Sequence, residues 1–130
     1  MNSSRIVVDS SVVLAIIHRE PGFEKLTPEL LAQAAVSTVN LAEAQSKLVS
    51  AGWTADEAWE DATGPVREIV DFTPEHAKTA GALIAGTRPY GLSLGDRACL
   101  SLALSLNAPV YTADRSWKNL KLGIRIHVIR

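Results

Sequence analysis

Short runs of β-branched residues alternate along this chain with longer segments of helical spacing. The run at residues 6–8 ends in Asp-Ser-Ser and passes into an apolar helical stretch, and strand-like runs at residues 35–39 and 66–72 are also followed by helix starts. A strand, a helix and a second strand in succession place the two strands parallel, because the helix carries the chain back along one face of the sheet. The alternation therefore predicts an α/β fold with a mainly parallel sheet and helices on both of its faces.

Capping patterns mark most of the remaining helix starts. Thr54 and Glu57 have the spacing of a capping box, in which each side chain satisfies a backbone N–H group of the other residue. The sequence Thr-Pro-Glu occurs twice, and proline suits the first position of a helix. Together with hydrophobic periodicity, these patterns predict helices after Thr27, Thr54 and Thr73, a helix at residues 94–106, and strands at residues 109–112 and 124–129.

The chain has the size and composition of one globular domain. Its 130 residues are 47% hydrophobic and contain no repeat or linker, so we expect residues 1–130 to form a single domain. Cys99 is the one cysteine, which excludes a disulfide within the chain. No apolar run approaches the roughly 18 residues of a membrane span, and the N-terminus lacks a signal core. These features predict a cytoplasmic protein without membrane contact.

Four acidic residues stand at boundaries between predicted elements. Asp9 and Asp114 each follow a strand, whereas Glu43 and Asp96 stand near helix starts. In a parallel sheet, the C-terminal ends of the strands and the N-terminal ends of the crossover helices share one edge, which is also where ligands bind. We therefore expect the four carboxylates to face the same edge of the sheet.

Each of these acids can also be explained as a local cap. Asp9 can cap the first helix and Asp114 can form a turn. Glu43 and Asp96 each lie three residues after a residue that suits an N-cap, Asn40 and Ser93 respectively. A cap stabilises by only about 1 kcal/mol, whereas two carboxylates about 4 Å apart repel by roughly 4 kcal/mol at an effective dielectric constant of 20. Four converging carboxylates would therefore need compensation, which a divalent cation would supply.

The donor set favours a hard metal ion. Carboxylates without a cysteine or histidine set favour Mg²⁺ or Mn²⁺ over zinc, and the three histidines show no spacing that suggests ligation. An acidic pocket of this kind commonly serves phosphoryl chemistry. Residues 86–130 hold seven Lys or Arg residues and only two acids, Asp96 and Asp114, which suits a phosphate-bearing substrate. Scattered surface charges explain the same excess equally well.

Four segments of the sequence together resemble the PIN domain family. They are Ile-Val-Val-Asp9-Ser-Ser, the helix start with Glu43, Gly-Leu-Ser-Leu-Gly-Asp96-Arg-Ala-Cys-Leu-Ser-Leu-Ala, and Val-Tyr-Thr-Ala-Asp114, and they are most similar to VapC-like toxins. The resemblance implies a three-layer α/β/α sandwich and a Mg²⁺- or Mn²⁺-dependent endoribonuclease that acts as the toxin of a toxin–antitoxin pair. It also implies a homodimer and a cognate VapB-like antitoxin, with DNA contacted only through the antitoxin complex.

The same resemblance assigns roles to individual residues. By position, the acids that would hold the metal ion and position the attacking water are Asp9, Glu43, Asp96 and Asp114. Ser10 and Thr112 match hydroxyl positions that would support them. Many family members carry a further acid after the fourth one, where this chain has Arg-Ser-Trp, so the number of metal ions stays open.

Three arginines are candidates for contacts with RNA phosphate groups. Arg97 and Arg115 each follow one of the four acids directly, and Arg88 lies in the turn before the helix at residues 94–106. An acidic group of an antitoxin could occupy the same arginines.

Other classes that place acids at this edge fit the sequence less well. A haloacid-type phosphatase needs a second aspartate two residues after the first, where this chain has Ser11. A phosphotransfer receiver needs an acceptor aspartate at the end of a middle strand and a late lysine, and neither is evident. A PIN-like module with weak catalysis, which mainly binds a protein partner or RNA, stays open as an alternative.

Overall fold

A computed structural model of the chain describes residues 4–130. Its strands are β1 (Ile6–Val8), β2 (Ala34–Ser37), β3 (Glu68–Val70), β4 (Val110–Thr112) and β5 (Ile126–Val128). They form one sheet in the order β3-β2-β1-β4-β5, and every neighbouring pair is parallel. The predicted parallel sheet is confirmed, and β1 lies at its centre.

Seven α-helices surround the sheet within the described residues. They are α1 (Ser10–His18), α2 (Pro28–Leu31), α3 (Thr38–Ser50), α4 (Ala55–Thr63), α5 (Pro74–Ala82), α6 (Ile84–Thr87) and α7 (Leu94–Leu106). Short 3₁₀ helices occur at Phe23–Lys25, Arg88–Tyr90 and Arg115–Asn119. None of the helices in residues 4–130 is long and apolar enough to cross a membrane.

The side chains of β1 alternate between two hydrophobic cores. Val8 packs with Val12 of α1 and Leu41 of α3 on one face of the sheet. Val7 belongs to the core on the other face, together with Leu100 of α7. Since successive strand residues point to opposite faces, the sheet is covered by helices on both sides. The predicted three-layer α/β/α arrangement is confirmed.

The start of α3 differs from its prediction. The sequence suggested a strand to residue 39 and a helix opened by Asn40 and Glu43, whereas β2 ends at Ser37 and α3 begins at Thr38. The reason is that Ser37 is itself an N-cap, because its hydroxyl accepts a hydrogen bond from the backbone N–H of Val39 at 3.2 Å. Asn40 and Glu43 therefore lie inside the helix, where their side chains are free of a capping role.

Two other predicted helix starts are confirmed as capping boxes. In α4, Thr54 and Glu57 each accept a hydrogen bond from the backbone of the other. In α7, Ser93 and Asp96 do the same. The second box places an acidic side chain at the N-terminus of the most buried helix, beside the end of the central strand.

Candidate functional site

The carboxyl ends of β1 and β4 lie side by side. Val8 pairs with Tyr111 across the two strands, so Asp9, which follows Val8, and Thr112, which ends β4, are neighbours. Asp9 also caps α1, because its side chain accepts a hydrogen bond from the backbone N–H of Val12. Asp9 therefore lies where the end of β1, the start of α1 and the end of β4 meet.

The Asp9 carboxylate is almost fully buried and accepts three hydrogen bonds. Its Oδ1 accepts from the hydroxyl of Ser11 at 2.6 Å and from the Val12 N–H at 3.0 Å, and its Oδ2 accepts from the hydroxyl of Thr112 at 2.6 Å. Both hydroxyl groups also accept from the backbone beyond β4: Ser11 from Ala113 at 2.9 Å, and Thr112 from Asp114 at 3.1 Å. The network fixes the loop that carries Asp114 relative to Asp9.

Burial is the main influence on the pKa of Asp9. The pKa of this carboxyl is raised from 3.8 to about 6, mainly because burial removes solvent from the charged form. The hydrogen bonds from Ser11, Thr112 and Val12 limit the rise, and the negative charge of Asp96 contributes to it. Asp9 and Asp96, which are far apart in sequence, are therefore within electrostatic reach of each other.

The pKa of the buried Cys99 thiol is affected by a third acid, Glu43, as well as by Asp9 and Asp96. Burial raises the pKa of Cys99 well above its ordinary value, and the charges of Asp9, Asp96 and Glu43 raise it further. Three of the four predicted acids are thus within electrostatic reach of the Cys99 thiol on α7.

Glu43 is held by a contact between α3 and α7. The side-chain amide of Asn40 donates to Glu43 Oε1 at 2.9 Å and to the backbone carbonyl of Gly95 at 3.0 Å. A Cβ atom at position 95 would overlap the carboxylate at the end of the Glu43 side chain, so glycine leaves the space that this carboxylate occupies. The second amide atom of Asn40, Oδ1, is buried and has no hydrogen-bond partner within the described residues.

Asp96 is half-buried and Asp114 is exposed, and both side chains form local caps. Asp96 Oδ2 accepts from the Ser93 N–H at 2.9 Å. Asp114 Oδ1 accepts from the N–H and hydroxyl of Ser116 at 2.9 and 2.7 Å. The local-cap explanation is correct for both residues, but each cap uses one carboxylate oxygen and leaves the other without a hydrogen bond from residues 4–130.

The residues at this edge fit a hard divalent cation in their donor chemistry. Every donor is an oxygen atom. The two ion pairs recorded within residues 4–130 join Arg5 to Glu68 and Arg130 to Glu20, so neither neutralises one of the four acids. The geometry is less complete, because no group of three His, Cys, Asp or Glu side chains in the described part of the chain converges closely enough to hold an ion.

Of the two hydroxyl residues singled out from the sequence, Thr112 donates a hydrogen bond to Asp9 and Ser10 does not. The role of Thr112 as a supporting group stays a prediction. Ser10 begins α1 and takes no part in the recorded network, whereas Ser11 bonds both Asp9 and the backbone of Ala113. Because residues 10 and 11 are both serine, composition could not separate them; the position two residues after an N-cap aspartate is the available sequence clue.

Asn40 and Gly95 were also missed as site residues. The sequence offered Asn40 only as a cap, and its contact with Gly95 joins residues 55 positions apart. A glycine directly before the helix-capping acid Asp96 is the sequence feature that could have indicated a close approach.

The three candidate arginines lie in different surroundings. Arg97 is half-buried, and its Nη1 donates to the carbonyl of Ala80 on α5 at 2.8 Å. Arg115 is exposed, and its Nε donates to the carbonyl of Arg130 at 3.1 Å. Arg88 is exposed in the 3₁₀ helix before α7. Contact between any of them and phosphate stays a prediction.

The fold and the acidic edge place the chain in the class of parallel α/β/α proteins that carry carboxylates near the C-terminal ends of their strands. Comparison with family models identifies the family within this class, because the PIN domain model matches residues 6–122. The chain belongs to the PIN domain family. Comparison with curated protein sequences gives no match.

Several solved structures share this fold, among them proteins of VapBC toxin–antitoxin systems. DNA-bound VapBC from Salmonella typhimurium has a TM-score of 0.75 and 17% identity, with 100% of each chain covered. Mycobacterium tuberculosis VapC20, a sarcin–ricin loop cleaving toxin, has a TM-score of 0.74 and 16% identity, over 92% of this chain and 98% of that one. VapBC2 from Rickettsia felis, bound to a promoter DNA fragment, has a TM-score of 0.72 and 22% identity, over 96% and 98%.

The buried carboxyl of Asp9 makes stability depend on pH. Its pKa is 3.8 in an unfolded chain and about 6 in the fold, so the folded state favours the protonated form. The resulting stability is complete at low pH and is lost as the pH rises through about 6; at about 1.4 kcal/mol per pH unit, the loss is on the order of 3 kcal/mol. We expect Asp9→Asn to be more stable than the wild type at pH 8 in EDTA, with little difference at pH 4.

Urea unfolding at several pH values measures this gap. Asp71→Asn, which changes an exposed acid outside the site, is the matched control and should show no such widening. A gap that stays constant from pH 4 to pH 8 would show that ionisation of Asp9 does not cost the fold stability.

Proposed function

We propose that this chain is a Mg²⁺- or Mn²⁺-dependent endoribonuclease that acts as the toxin of a toxin–antitoxin pair. The observation that carries the proposal is the buried carboxylate of Asp9 at the end of the central strand, within electrostatic reach of Asp96. Membership of the PIN domain family supports it. So does the shared fold with VapC20, which is described as a toxin that cleaves the sarcin–ricin loop.

The proposed metal ligands are Asp9, Glu43, Asp96 and Asp114. A bound Mg²⁺ or Mn²⁺ ion would supply an activated water and would stabilise negative charge on the phosphate. Asp9 provides the fixed point of the site, since Ser11, Thr112 and the backbone of Val12 hold both of its oxygens. With a pKa of about 6, Asp9 is mostly ionised at neutral pH and can bind a cation.

The other acids act from less constrained positions. Asn40 orients Glu43 from within α3, and the free oxygens of Asp96 and Asp114 allow these side chains to turn toward an ion without unfolding their helices. Binding of an ion would require small side-chain rotations of Asp96 and Asp114, because the carboxylates of the described residues do not converge on one point.

We propose a VapB-like antitoxin as the protein partner and a homodimer as the assembly. Support comes from the solved VapBC structures of the same fold, two of which include DNA. In the proposed assembly, DNA is contacted only through the antitoxin complex. Light scattering of the purified chain tests the dimer, and a monomeric mass at micromolar concentration would count against it.

One observation favours the alternative, a PIN-like module that binds RNA or protein with little catalysis. No three potential ligands converge within residues 4–130. An RNA cleavage assay with Mn²⁺ distinguishes the ribonuclease from the binding module.

RNA cleavage should require both the metal ion and Asp96. We expect Asp96→Asn to reduce Mn²⁺-dependent cleavage at least about 100-fold, because a neutral amide replaces a proposed ligand. Asparagine keeps a carbonyl oxygen for the Ser93 N–H, so thermal unfolding should change little. Gel-based cleavage of a structured RNA by the partner-free chain is the measurement, with Asp71→Asn as a control that retains activity. Full activity of Asp96→Asn, or of the wild type in excess EDTA, would refute the assignment.

Gly95→Ala tests the position of Glu43. The new methyl group would displace the Glu43 carboxylate, so we expect Mn²⁺ affinity to fall about 10-fold while the helix loses no stability, since alanine favours helix over glycine. Calorimetric titration with Mn²⁺ and thermal unfolding measure the two effects. Gly81→Ala on α5, where an added Cβ meets no atom within 4 Å, is the matched control. Unchanged affinity in Gly95→Ala would remove Glu43 from the site.

A further inference from the structure

A groove runs along β5, outside the acidic site. Its volume is about 650 Å³, and we call it the β5 groove; the side chains that define it are Lys25, Tyr111, Arg115, Lys118 and His127. Residues 126–130 complete its wall, and no Asp or Glu side chain of the described residues lines it. The groove is therefore a positively charged surface next to an acidic one.

The β5 groove begins at the acidic edge. Arg115 directly follows Asp114 in sequence, and Tyr111 directly precedes Thr112 on β4. The backbone N–H of Ile129, in the groove wall, donates to the carbonyl of Thr112 at 2.9 Å. The groove therefore shares β4 and the segment that follows it with the acidic edge.

An aromatic pair forms part of the groove. Tyr111 and His127 pair across β4 and β5, and their rings are stacked with centroids 4.6 Å apart and planes at 20°. Both side chains are only partly buried. Since β5 is the edge strand of the sheet, His127 is the outer ring of the pair. Nucleic-acid bases stack on aromatic rings placed in this way, largely independently of sequence.

The cations of the groove are available for phosphate groups. Lys25 and Lys118 are exposed, and neither forms an ion pair within residues 4–130. Arg115 uses only Nε in its bond to the Arg130 carbonyl, which leaves both terminal nitrogens without a recorded partner in that range. Arg130 contributes less positive charge, because Glu20 pairs with it at 3.0 Å.

We propose that the β5 groove binds a single-stranded segment of RNA that leads into the acidic site. Lys25, Arg115 and Lys118 contact its phosphates, and a base stacks on His127. The inference rests on the proposed ribonuclease function and adds to it the path of the substrate. An acidic protein segment would satisfy the cations, but it would leave the aromatic pair without a role.

RNA binding is measured separately from cleavage. The chain carrying Asp96→Asn is titrated in EDTA against a fluorescein-labelled single-stranded RNA of about 12 nucleotides, and fluorescence anisotropy measures the affinity. We expect Lys118→Gln to weaken binding about threefold to tenfold. We also expect it to reduce the slope of log K against log salt concentration by about one, since one phosphate contact is lost. His127→Ala should weaken binding about fivefold or more, and His127→Phe, which keeps an aromatic ring, should restore it.

Matched controls identify the occupant of the groove. Lys78→Gln removes an exposed cation on α5, outside the groove, and should bind as the parent does. An RNA duplex, whose bases are already stacked, should bind more weakly and be insensitive to His127→Ala. If a polyglutamate peptide competes as well as the RNA does and His127→Ala has no effect, the groove binds protein and the proposal is overturned. Equal RNA affinity for Lys118→Gln, His127→Ala and Lys78→Gln overturns it as well.

The two proposals can fail independently. If the groove variants lose RNA binding but the wild type, with Asp96 intact, does not cleave with Mn²⁺, the groove stands and the ribonuclease function fails. If the wild type cleaves and the groove variants bind and cleave like the wild type, the function stands and the groove assignment is wrong.

Discussion

The carboxylate of Asp9 is the constraint on which the site depends. It is 3% exposed at the centre of the sheet, where an ionised group is costly unless donors surround it. Two of its donors belong to its own turn, and the third, Thr112, belongs to the neighbouring strand. Satisfying this one side chain therefore fixes the end of β4 and the loop to Asp114 in position. The stability of the fold and the geometry of the site are coupled through the same hydrogen bonds.

Capping and metal binding are compatible in this arrangement. A carboxylate has two oxygens, and a cap uses one of them, as Asp96 and Asp114 show. Glu43 is held differently, through Asn40 and the space left by Gly95. The local bonds restrict each side chain to one edge of the sheet but do not bring three of them to one point. A cation that draws them together would supply the remaining attraction that the protein does not provide.

The surface around this edge separates the two signs of charge. The acids occupy the ends of β1 and β4 and the start of α7, while the cations near β5 extend away from them. A polyanion is repelled by the first surface and attracted by the second, so a bound cation at the acids and a basic path beside them are complementary requirements for a nucleic-acid substrate. The VapBC and VapC20 structures share 16–22% identity with this chain, so their likeness supports the fold alone.

Elements whose causes are local are predictable from the residues alone. The capping boxes at Thr54 and Ser93 are predictable because their partners lie three residues apart on one turn of helix. The parallel sheet, and with it the common edge for Asp9 and Asp96, follows from the alternation of strands and helices. Other features depend on contacts between residues that only folding brings together. Thr112 bonds Asp9 across 103 positions, Asn40 bonds Gly95 across 55, and Tyr111 stacks on His127. Such contacts depend on strand register and helix packing, which no local pattern of residues specifies.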